Sequence, residues 1–166
     1  MSLPALPLVL GLVAGQRLAE LWIAARNTRA LKARGAVEVG AAHYPLFIIL
    51  QTAWLAAMAL LIPLDTPANL PLLALFLVLQ AGRLWVLATL GPYWTTRIIT
   101  LPGAPLVKSG PFRFVRHPNY LVVAGEIAVL PLVFGAWQIA VIFSLLSAAL
   151  TLYRIRVEEA ALAERA

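Results

Sequence analysis

Residues 110–120, GPFRFVRHPNY, gather two prolines, two arginines, a histidine and a tyrosine in a chain that is otherwise mostly apolar. Pro118 suits the first turn of a helix, where no amide donor is lost. His117 then stands at the helix mouth, with Tyr120 one turn further on. Amides at a helix N-terminus, with these rings beside them, can hold a polar ligand bearing carboxylate or hydroxyl groups. Taken alone, His117 is first a capping residue. With His43 the only other histidine, no cysteine and no acidic cluster, the pattern predicts no metal centre.

A second set of polar residues lies where polarity is expensive. Arg17, Glu20, Arg83 and Glu126 sit inside long apolar stretches. A charge in hydrocarbon costs several kcal/mol unless it is paired or hydrated. At about 1.5 Å per helical residue, Arg17, Arg83 and Glu126 each fall roughly 12 Å inside the same membrane face, and Glu20 one turn shallower. One reading is a structural ion-pair layer, or arginines that snorkel to the interface. Another is a polar cavity open to the cytoplasm and lined by Arg83 and Glu126. The two are compatible.

The C-terminal YRIRVEEAALAERA continues the last apolar stretch as a helix past the membrane. Its Arg154 and Glu158 are four apart, an ordinary pair on a solvated helix end. Ser144, Ser147 and Thr151 form a polar stripe of the kind that lets helices pack closely.

The elements that must position these groups follow from composition. Hydrophobic residues make up 62% of the 166, and only 12% are charged. The mean hydropathy is +0.89. Soluble proteins carry about twice that charged share, so this is an integral membrane protein by composition. A spanning helix needs about 20 apolar residues. Five candidates appear, near 3–25, 44–63, 70–90, 118–134 and 136–153. The expected fold is an all-α bundle of five transmembrane helices forming a single domain over 1–166. The first stretch lacks a basic leader and is too long for a signal peptide, so it is expected to stay as a helix.

The net charge of +6 does not point to nucleic acid, because the cations sit beside the hydrophobic spans as topogenic charges do. They follow the first span (Arg26, Arg29, Lys32, Arg34), the third (Arg97, Lys108, Arg113, Arg116) and the fifth (Arg154, Arg156, Arg165). The connections LDTPANLP and FGAW have none. This asymmetry predicts an outside N-terminus and a cytoplasmic C-terminus. The connection 91–117 is cytoplasmic on the same reading. It is long for a bundle, apolar and aromatic, and suited to cover a site at the interface.

GPFRFVRHPNY, followed by a glutamate in the next helix and later by RIRVEE, resembles the isoprenylcysteine carboxyl methyltransferase family. The family pattern runs G-P-(Y/F)-R-x-x-R-H-P-x-Y, then a helical hairpin, then R-(I/V)-x-x-E-E. This chain matches it at Gly110, Pro111, Phe112, Arg113, Arg116, His117, Pro118 and Tyr120, then at Arg154, Ile155, Glu158 and Glu159. RLAELWIAARNTRALKARGAVEVGAAHYP and WTTRIITLPGAPLV look like a bacterial branch of the family, some of whose members methylate hydroxyls of polyketide lipids such as alkylpyrones.

The resemblance implies an inner-membrane enzyme that binds S-adenosylmethionine at the cytoplasmic end of its bundle. It implies methyl transfer to an oxygen of a lipid-like acceptor that enters from the bilayer. Cofactor contacts would come from Val107, Lys108, Gly110, Arg113, His117, Pro118, Tyr120, Glu158 and Glu159. Arg83, Arg113 or Arg154 would hold an anionic acceptor oxygen, and Glu126 would be the base for a phenol. Family members usually run on beyond the paired glutamates, so a shortened cofactor lid is expected here. Strings similar to RHPNY also occur in NADPH-dependent membrane sterol reductases, which need a larger cleft and more spans. A non-catalytic scaffold or transporter subunit is the remaining alternative. Transport would show as inverted repeats and broken helices, and neither is visible in the sequence.

Overall fold

The first helix does not stop where the hydrophobic run stops. In the computed structural model, which describes residues 5–163, α1 runs Ala5–Ala33, well past the expected end near 25. Its extension buries Asn27, Thr28 and Leu31, which continue the face of Ala24 at spacings of three and four. The expected start of this span at residues 3–4 and the cation Arg165 lie outside the described residues.

The other helices fall close to expectation. They are α2 (Tyr44–Leu61), α3 (Leu70–Leu90), α4 (Pro118–Val133) and α5 (Trp137–Ala163). Asn69 caps α3 by accepting from the Leu72 amide at 3.1 Å. Its own amide donates to Val133 O at 2.8 Å, so the start of α3 meets the end of α4. At Gly135 (φ 71) the chain reverses into α5, with Ala136 N returning to Pro131 O at 3.0 Å. Helices α4 and α5 are therefore adjacent and antiparallel, as the short hairpin requires.

Among the described residues, four helices are long and apolar enough to cross a membrane. They are α1, α2 with the turn before it, α3 with the turn after it, and α5. The 16 residues of α4 reach about 24 Å, short of a hydrocarbon core of about 30 Å.

One departure from the all-α expectation is a small sheet. Strand β1 (Val37–Val39) pairs antiparallel with β2 (Ile98–Thr100), with Glu38 opposite Ile99. It ties the α1–α2 connection to the long α3–α4 connection, and both strands pack against α5.

Layers succeed one another along the bundle. An apolar core of Leu6, Val13, Trp54, Met58, Phe76, Ile127, Leu130 and Val133 fills one end. Next along α1 and α3 come Arg17, Glu20, Gln80 and Arg83. A smaller cluster of Ala24, Val86 and Trp94 follows. The α3–α4 connection and the ends of α1 and α5 close the far end.

Candidate active site

Pro118 is buried at the opening of α4, and His117 precedes it in the N-cap position without capping through its side chain. The capping role is therefore not taken. The ring turns toward α5, with Nε2 3.3 Å from Glu159 Oε1 and Nδ1 3.8 Å from Glu158 Oε2. The Tyr120 hydroxyl donates to Glu158 Oε2 at 2.6 Å and accepts from Arg154 Nε at 3.0 Å. Arg154 is buried and also donates to the Thr96 carbonyl at 2.7 Å. Three elements thus converge: the mouth of α4, the outer end of α5 and the long connection. Arg116 lies 3.5 Å from Glu159 but is 84% exposed, so this pair contributes little.

Arg116, His117, Glu158 and Glu159 border a cavity of about 920 Å³, at the upper end of the usual range for ligand sites. Its polar wall holds Lys108, Arg113, Arg116, His117, Glu158 and Glu159. Its apolar wall holds Leu31, Leu90, Tyr93, Ile99, Leu106 and Phe112. A more open recess of about 610 Å³ shares Val107, Lys108 and Arg113 with it and adds Thr89 and Pro92. Carboxylates, cations and an apolar aromatic wall in one space suit a ligand that is zwitterionic at one end and has a flat ring at the other.

Gly110 shapes this wall from below. Its φ is +56°, and a Cβ there would collide with the Thr89 side chain. Only glycine lets the turn at Gly110–Arg113 lie against the end of α3.

Arg83 and Glu126 are elsewhere. Both are buried in a closed charge cluster that joins α1, α3 and α4. Glu126 accepts from Arg17 at 2.6 Å, Arg83 at 3.1 Å and Gln80 at 2.7 Å. Arg83 also donates to both oxygens of Glu20, through Nε at 2.6 Å and through Nη2. Two arginines and two glutamates balance, which realises the ion-pair layer. Neither Arg83 nor Glu126 borders the cavity described above.

Of the residues singled out from the sequence, Val107, Lys108, Arg113, His117, Glu158 and Glu159 line the cavity. Tyr120 and Arg154 hold Glu158, and Gly110 and Pro118 set the backbone. Sequence reasoning missed Asn27, Tyr44, Thr96 and Glu38. Asn27 donates to the carbonyls of Gly91 at 3.1 Å and Trp94 at 2.9 Å, fastening the long connection to α1. The spacing of Ala24, Asn27, Thr28 and Leu31 was the signal that could have found it. Glu38 accepts from Lys32 at 2.7 Å and Arg97 at 2.5 Å. Burial opposes its charged form, but these two hydrogen bonds and charges outweigh burial and hold the carboxyl below its ordinary range.

Comparison with known proteins points the same way as the motif. A family model described as the isoprenylcysteine carboxyl methyltransferase (ICMT) family matches residues 72–164. The uncharacterized protein YpbQ of Bacillus subtilis is 37% identical over 161 residues, which is 95% of this chain and 96% of that protein. An uncharacterized protein of Haemophilus influenzae is 28% identical over 152 residues, 88% of each chain. No solved structure matches.

Proposed function

This chain belongs to the isoprenylcysteine carboxyl methyltransferase family, and from that membership we propose that it is an S-adenosylmethionine-dependent O-methyltransferase of a lipid-like acceptor in the bilayer. The observation that carries the proposal is the meeting of His117, Glu158 and Glu159 with Lys108 and Arg113 on one cavity. Those residues fit the cofactor. Glu158 and Glu159 accept hydrogen bonds from an ammonium or from ribose hydroxyls. Lys108 and Arg113 complement a carboxylate. Tyr93, Leu106 and Phe112 offer an apolar bed for a flat base.

When bound, the cofactor supplies an already activated sulfonium methyl group. The chain's own residues therefore supply mainly proximity and alignment. Tyr120 and Arg154 keep Glu158 in place, so this wall costs little reorganisation on binding. Arg113, on the cavity, and Arg154, bonded to its wall, are the groups for an anionic acceptor oxygen. A carboxylate or acidic enol needs no base. Glu126 serves as base only for a phenol, and Arg83 as an anion holder only when an acceptor opens their cluster.

The basic segments support an outside N-terminus, with the site at the cytoplasmic face of a bacterial inner membrane. On this reading α4 is the fifth span. Its short length is met by local thinning of the bilayer. Residues 1–166 act as one methyltransferase unit.

Thermal melting of the purified protein tests the function, because a ligand of the native state raises the melting temperature. S-adenosylhomocysteine should raise it and NADPH should not. The opposite pattern would support a reductase instead.

A further inference from the structure

Glu38 lies outside the cavity lining and outside the residues matched by the family model. We propose that it is a positioning residue for the cofactor wall, acting through Arg97, Tyr44 and Thr96 on Arg154, Tyr120 and Glu158; the inference rests on the cofactor reading above.

The route is a chain of short contacts. The Glu38 side chain is 12% exposed and holds Arg97 Nη1 at 2.5 Å. The Arg97 guanidinium lies over the Tyr44 ring, 4.3 Å from its centroid. A guanidinium on an aromatic face restrains both partners. The Tyr44 hydroxyl shares a hydrogen bond with Thr96 Oγ1 at 3.0 Å. The Thr96 carbonyl accepts from Arg154 Nη2 at 2.7 Å, and Arg154 Nε donates to the Tyr120 hydroxyl, which in turn donates to Glu158. Each member limits the freedom of the next.

A second contact reaches the same place. After β1 the chain turns through Gly40, with φ +64°. A Cβ on Gly40 would lie 3.0 Å from Val157 Cγ1 and closer still to the His43 ring. The turn at Gly40 therefore lies close against Val157 of α5, the residue before Glu158. Pairing of β1 with β2 fixes Glu38 opposite Ile99, so the carboxylate has one register from which to hold Arg97.

Arg97 is 38% exposed and Lys32 is 46% exposed. Glu38 itself is mostly buried, but both of its cations reach solvent, and pairs whose cations stay hydrated add little to stability. Removal of the Glu38 charge should therefore spare the fold and loosen the wall, and the two effects can be measured separately.

The experiment uses purified full-length Glu38→Gln and Tyr44→Phe, with S-adenosylhomocysteine as the titrant and melting temperature as the control. Each variant should melt near the wild-type temperature and bind about threefold to tenfold more weakly, the worth of one well-placed hydrogen bond. In a Glu158→Gln background, Glu38→Gln should add almost nothing, because both act on one wall. A merely structural role would not give that coupling. Tyr44→Phe, which removes one hydroxyl, carries the test if Glu38→Gln melts early. Wild-type binding with unchanged affinity in Tyr44→Phe, or with losses that add fully to Glu158→Gln, would overturn this inference alone. No binding by the wild-type protein would overturn the cofactor reading and this inference with it.

Discussion

The Tyr120 hydroxyl donates to Glu158 Oε2 at 2.6 Å, so the first turn of α4 and the outer end of α5 share one wall of the cavity. The bond is to a carboxylate and is partly buried, and such bonds are the stronger ones. Tyr120→Phe removes the donor to Glu158 and the acceptor of Arg154 in one change. It should weaken S-adenosylhomocysteine binding and lower stability by about 1–3 kcal/mol. Titration and denaturant unfolding of the same preparation check both. A Tyr120→Phe protein with wild-type affinity would mean that the wall does not need this tie.

Glu126 is fully buried and pairs with two arginines, Arg17 and Arg83, which it balances together with Glu20. Glu126→Ala should destabilise the protein by about 3–5 kcal/mol, because it leaves buried positive charge unpaired. Lys32→Ala, at a half-exposed pair, should cost less than about 1 kcal/mol. Unfolding in detergent ranks the two. Equal, small effects would contradict the closed cluster.

Gly110 and Gly103 both have positive φ, but only Gly110 has a side chain against it. Gly103→Ala should show the backbone cost alone, about 1–3 kcal/mol. Gly110→Ala should exceed it, because Thr89 must also move. Melting temperatures of the pair decide the matter, and a reversed order would sink the close approach to α3.

The long helices, the depth-matched charges and the α4–α5 hairpin were legible in the sequence, because hydropathy, helical rise and short connections are local properties. The end of α1 was not. Its buried face carries Asn27 and Thr28, which fall below an apolar threshold while keeping the helical spacing. The strands β1 and β2 have three residues each, too few to show a period, and they pair across two helices. Thr96 meets Arg154 through a main-chain carbonyl, so its residue type carries no trace of the contact. The paired glutamates were legible as a motif. Their link to Tyr120 and Arg154 needed the fold.

The chain has no cysteine, so single introduced thiols report topology cleanly. Asn69→Cys should react with an impermeant probe from outside, and Lys108→Cys only from the cytoplasmic side. The reverse labelling would refute the orientation and the cytosolic supply of cofactor.

The most direct measurement is calorimetric titration of S-adenosylhomocysteine into wild-type protein, His117→Ala and Glu158→Ala. The wild type should bind saturably. Each variant should keep its fold and lose about 1–3 kcal/mol of binding, for a lost charged or buried hydrogen bond. No binding by the wild type, or one affinity for all three folded proteins, would contradict a cofactor site built between the mouth of α4 and the end of α5.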